Sequence, residues 1–237
     1  MTRHMRPAKW RLAGMAAFSL ATCAQAEEAA SSDGNAFEVD LTLVAVSDYR
    51  FRGYSLTDKG PALQPELTIS HETGLYVFAW GSNIDDNGGA GVEADFGAGY
   101  STDFGRFNLD LNGMYYSYPD ANDDNYAEYS GRIGAAAGSG EVGFTLAYSP
   151  AQDSLGDADN TYLMLDGAIP VEGTPFTLLG SYGVEDGAFG ASKRDWSIGA
   201  STHLGPLSVS LSYVDAARTG NDPLADPAAV LSIRRGF

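Results

Sequence analysis

Few groups in this chain are suited to covalent chemistry. Beyond residue 26 the only histidines are His71 and His203, and the one cysteine, Cys23, lies before that point. Nucleophilic catalysis needs a nucleophile and a base within hydrogen-bond reach. Neither a Gly-x-Ser-x-Gly elbow nor a His-Glu-x-x-His helix occurs. The chain therefore reads as a non-enzyme, and no cofactor is implied. Two stretches, Asp120 to Asn125 and Asp153 to Asn160, are dense in carboxylates and amides. They suit Ca²⁺ or the divalent ions that bridge phosphates, but neither has EF-hand spacing, and solvated loop tips are the default.

The more informative charges recur at alternate positions. Glu38, Asp40, Asp48, Arg50, Arg52, Glu66, Glu93, Asp95, Asp110, Glu128, Arg132 and Arg234 each sit in a run where polar and apolar residues interleave. Such spacing puts the charges on one face of a strand and the apolar residues on the other. If those faces close around a lumen, its acidic excess attracts cations. Arg50 and Arg52 among acidic neighbours can equally be internal braces that fill the lumen.

Strands are what must position these charges. Val92, Ala94, Phe96, Ala98 and Tyr100 alternate with Glu93, Asp95, Gly97, Gly99 and Ser101, and Leu207, Val209 and Leu211 alternate with serines. No segment after residue 26 sustains the helical period. Twelve strands are predicted, at 38–51, 62–70, 75–84, 91–101, 106–117, 126–137, 141–149, 160–169, 176–184, 195–204, 207–215 and 228–237. Leu75 to Trp80 is apolar on both faces, so its register is ambiguous. The connections alternate between short turns, such as Gly205-Pro206, and mostly longer polar loops, such as Tyr118 to Asn125. A β-sandwich also alternates its residues, but nothing in it requires alternating loop lengths. The pattern predicts an all-β, transmembrane, antiparallel up-and-down β-barrel at 38–237. With the short turns facing the periplasm, both termini are periplasmic. Most of the tyrosines and tryptophans, including Tyr49, Tyr54, Trp80, Tyr116, Tyr126 and Trp196, are expected in the interfacial girdles of such a barrel.

Residues 1–26 read as a signal peptide. Arg3, Arg6, Lys9 and Arg11 precede an apolar stretch of about ten residues, and Ala24-Gln25-Ala26 supplies a cleavage site. Residues 27–37 are a short lead-in. Cleavage removes four of 14 basic residues and no acidic one, leaving ten against 31, a formal charge of −21. Nucleic acid is disfavoured as a partner. The terminal Phe237, with Ile233, Leu231 and Ala229 on the same face, has the form of a signal for the barrel-assembly machinery, although Arg235 interrupts it.

The stretch Val46-Ser47-Asp48-Tyr49-Arg50-Phe51-Arg52-Gly53-Tyr54-Ser55 is distinctive, as are Pro61 to Pro65, His71 to Tyr76 and Trp80 to Asn83. Together they resemble the TorF family of outer-membrane porins, from about residue 38 to the Leu231-Ser232-Ile233 end. The resemblance implies an outer-membrane location and a pore, with no known substrate. The expectation is a monomeric or trimeric channel for passive diffusion of small solutes, cation-preferring, set among outer-membrane lipid and lipopolysaccharide. The alternatives are a non-conducting structural or surface-interaction barrel and, third, an outer-membrane lipid hydrolase.

Overall fold

A computed structural model describes residues 36–85, 90–119, 121 and 124–237. The leader expected at 1–26, most of the lead-in and part of the Asp120 to Asn125 loop lie outside them. Twelve strands form one closed antiparallel barrel. They are β1 (Phe37–Val46), β4 (Ala62–His71), β5 (Leu75–Asn83), β6 (Val92–Phe104), β7 (Phe107–Ser117) and β8 (Tyr126–Ala137), then β9 (Gly140–Gln152), β10 (Ala158–Pro170), β11 (Thr177–Gly187), β12 (Gly190–Leu204), β13 (Leu207–Ala217) and β14 (Ala228–Gly236). Each pairs with its neighbour in sequence, and β14 returns to β1 with Thr42 opposite Gly236 and Val46 opposite Ser232. The Phe237 N–H donates to the carbonyl of Leu41 across this seam. Closure leaves no sheet edge, so every strand meets its backbone hydrogen bonds inside the wall.

The outer surface is apolar because alternate residues are. Phe37, Val39, Leu41 and Leu43 on β1, Leu163, Leu165 and Ile169 on β10, and Leu231 and Ile233 on β14 are all exposed large hydrophobics. A water-soluble sandwich buries its apolar face, whereas this fold buries the polar one. Tyr100, Tyr115, Tyr129, Tyr148, Tyr182 and Tyr213 also face outward. At the short-turn end, Gly105 and Gly205 adopt φ of +64° and +60°, the left-handed geometry tight hairpins require.

The pairing settles the register of β5. Tyr76, Phe78 and Trp80 point inward, opposite Gly99, Gly97 and Asp95 of β6. A Cβ at Gly97 or Gly99 would collide with the Phe78 or Tyr76 ring, so the glycines make the room those rings occupy. Two expectations need correction. The strand predicted at 38–51 ends at Val46, and residues 47–61 turn into the barrel, where β2 (Arg50–Phe51) and β3 (Tyr54–Ser55) pair as a small hairpin. The stretches Pro150 to Asp159 and Glu185 to Arg194 fall between predicted strands, yet both ends of the first and most of the second are extensions of β9 to β12.

Candidate functional site

The lumen is the candidate site, and the inserted hairpin divides it into two layers. At the loop end the hairpin turns at Arg52-Gly53, with φ of +48° and +89°. Positive φ at both central residues marks a tight type I′ turn, which favours Asn, Asp and Gly. Arginine there is strained, and its side chain holds it in place. The Arg52 guanidinium donates to Glu128 of β8 at 2.6 and 2.8 Å and to Glu185 of β11 at 2.6 Å. It also lies over the rings of Phe51 and Tyr162, at 4.7 and 4.3 Å from their centroids. Lys193 of β12 pairs with the other Glu185 oxygen. Across the turn, Gly53 packs so closely on Ala216 of β13 that a Cβ would overlap it.

The base of the hairpin is held as firmly. Asp48 accepts from Arg50 Nε and from Ser55 Oγ, both at 2.6 Å. Arg50 Nη1 donates to the carbonyls of Gly53, Leu224 and Asp226, joining the hairpin to the last loop. Tyr49 packs edge-on against Trp80, and Phe51 against Tyr116, which stacks on Tyr126. Tyr49, Trp80, Tyr116 and Tyr126 are therefore buried in the lumen. They do not belong to the girdles expected for them, because the hairpin offers an apolar surface inside the barrel.

Toward the short-turn end the lumen is less filled. Arg132 bridges Glu141 at 2.9 Å and Asp166 at 2.8 Å. Asp110 accepts from the Tyr76 hydroxyl at 2.9 Å and from Asn112 at 3.0 Å. Arg234 reaches toward Thr42 and neighbours Glu66. Ser181, Ser197, Ser201, Ser210, Ser212 and Ser232 pave the inner face of β11 to β14. Glu38, Asp40, Glu141, Asp166 and Arg234 are only partly buried.

Of the residues proposed to line a pore, Asp40, Glu66, Glu93, Asp95, Asp110, Glu128, Arg132 and Arg234 lie on inward faces of barrel strands. Asp48, Arg50 and Arg52 were expected on the wall strand at 38–51 and instead belong to the hairpin. The alternation in Ser47 to Arg52 continues past the point where the chain leaves the wall, which is why it read as strand. Glu141, Asp166, Glu185, Lys193 and Asp195 were not singled out from sequence, yet all face inward. Glu185 and Lys193 fall beyond the ends of the strands predicted there, and the alternation around Glu141, Asp166 and Asp195 could have found those three. His71 Nδ1 is 2.8 Å from the Thr73 hydroxyl in a short turn, and His203 is exposed. No cluster of three or more His, Cys, Asp or Glu suited to a metal occurs among the described residues.

A closed barrel with an apolar outer belt and a charged, partly filled lumen defines the class of outer-membrane porin-like barrels. Within it, the chain belongs to the bacterial family Gcw_chp, described as of unknown function, whose model matches residues 27–236. Comparison with curated proteins found no match. Among solved structures, the KdgM porin superposes with a TM-score of 0.56 at 7% identity, covering 84% of this chain and 98% of that one. The NanC porin gives 0.53 at 10% identity, with the same coverages. At such identities the likeness is one of fold.

Proposed function

We propose that the protein is an outer-membrane channel for passive diffusion of small solutes, cation-preferring and narrowed at its loop end by the 47–61 hairpin. The observation that carries this reading is the charge of the less filled layer. Glu38, Asp40, Glu66, Asp110, Glu141 and Asp166 stand there against Arg132 and Arg234, within a low-dielectric wall that concentrates counter-ions. The porin-like fold supports it. In this reading the short turns and both termini face the periplasm, and the loops face lipopolysaccharide.

Single-channel recording of the refolded protein in a planar bilayer tests it. Discrete steps are expected, with a reversal potential displaced toward the cation value across a salt gradient. Steps with no displacement, or an anion-directed one, refute the selectivity. Silence with insertion verified favours the second reading, a non-conducting barrel. The observation behind that alternative is the Arg52 bridge between β8 and β11.

Assembly carries its own prediction. Phe237 is exposed on the lipid face, at the end of the strand that closes the barrel, and Arg235 lies 4.8 Å from its ring centroid. Deleting Phe237 is expected to reduce folded protein in the outer membrane several-fold in cells, while refolding in detergent stays near normal. Equal yields in cells would remove any role for the terminal ring in recognition by the assembly machinery.

A further inference from the structure

The buried layer at the hairpin contains Asp48, Glu93, Asp95, Glu128, Glu185 and Asp195 against Arg50, Arg52 and Lys193. The three cations are committed. Arg50 holds Asp48, Arg52 holds Glu128 and Glu185, and Lys193 holds Glu185. Asp195 accepts from the Tyr162 hydroxyl. Asp95 is different. It is 0% exposed, and no side chain donates to either of its carboxylate oxygens. Trp80 and Tyr116 flank it on the neighbouring strands. Glu93 lies two residues away on the same inward face, accepting from the Tyr118 hydroxyl at 3.2 Å. Tyr49 is buried beside both carboxylates, its hydroxyl toward Glu93.

A buried carboxylate that no cation and no side chain satisfies is costly. The oxygens gathered on this face are hard donors, and the two carboxylates carry the charge of one divalent ion. We propose that Asp95 and Glu93, with the Tyr49 hydroxyl, bind a divalent hard cation that fixes the hairpin to the barrel wall. Ca²⁺ fits better than Mg²⁺, because Asp95 presents both oxygens and Ca²⁺ accepts bidentate carboxylates in irregular geometry. With only two carboxylates, the affinity belongs to the weak range of about 10⁻⁴–10⁻³ M. The site forms whether or not the lumen conducts.

Terbium luminescence in detergent micelles tests this, because Tyr49, Trp80 and Tyr116 surround the site and would sensitise a bound Tb³⁺. The refolded protein is expected to show saturable emission at one ion per barrel, displaced by Ca²⁺. Asp95→Asn should abolish it, and Asp159→Asn, at the exposed start of β10, should retain it. Heat-modifiable gel mobility verifies that each variant is folded. Should Asp95→Asn fail to fold, the native protein alone decides: Ca²⁺ in the millimolar range must raise its unfolding temperature, and a chelator must reverse the rise. Absence of that shift overturns the proposal. So does emission that survives Asp95→Asn, or a neutral-pH infrared band of a protonated carboxylic acid that the same substitution removes, since the pair would then hold a proton.

Discussion

Arg52→Ala is expected to lower the stability of the folded barrel by about 3–5 kcal/mol, the usual cost of removing one partner from a buried ion pair. The guanidinium and its two carboxylates have almost no access to solvent, with side-chain exposures of 5% for Arg52 and Glu128 and 0% for Glu185. Glu185 would keep Lys193, while Glu128 would keep only the hydroxyls of Tyr116 and Ser149. Arg52→Met separates charge from packing, since it retains most of the bulk over the Tyr162 ring. A Lys59→Ala control breaks only the exposed pair with Asp226 and should cost no more than about 1 kcal/mol. Urea unfolding in micelles checks all three. In a bilayer, Arg52→Ala should also enlarge or destabilise the conductance steps as the hairpin tip is released. Midpoints for Arg52→Ala and Lys59→Ala within error of each other would show that the hairpin is not latched through Arg52.

The second large effect is expected on the opposite face of the wall. Leu165, near the middle of β10 and 60% exposed, pairs with Phe144 and Tyr182 in an outward apolar belt. Leu165→Arg should cost about 2–4 kcal/mol in a bilayer, the penalty for a charge near the midplane of the lipid face. In water, an arginine replacing an exposed leucine costs almost nothing. Reversible unfolding from lipid vesicles measures the difference. A cost near zero there would mean that the belt does not face hydrocarbon at that depth.

Most of the wall was legible in the sequence because two solvents impose it. Lipid outside demands an apolar residue at every second position, and a wet, charged lumen permits polar ones between. The run Val92 to Ser101 therefore gave both strand and facing. The hairpin was not legible, for the same physical reason. Ser47 to Arg52 also alternates, since one side of the hairpin packs on Trp80 and Tyr116 while the other makes ion pairs. The ambiguous stretch Leu75 to Trp80 carried the missing signal. A wall strand apolar on both faces has something apolar packed on its inside, and here that is Tyr49. Glu185 and Lys193 were overlooked because β11 and β12 run past the edges that polarity alone suggested.

The latch also sets an order of events in assembly. Arg52 lies early in the chain, and its partner Glu185 comes 133 residues later. Contacts of such long span form late, after the intervening chain has been placed. While β8 to β11 are missing, Arg52 has neither of its carboxylates, and the acidic face of each unfinished strand has no lumen to line. A half-built sheet of this sequence would turn those charges toward hydrocarbon. Insertion therefore favours a nearly complete cylinder, with the hairpin already enclosed when the ends of the chain meet along the short β1–β14 seam. Any helper that catalyses insertion must shelter the polar side of the growing sheet until that moment.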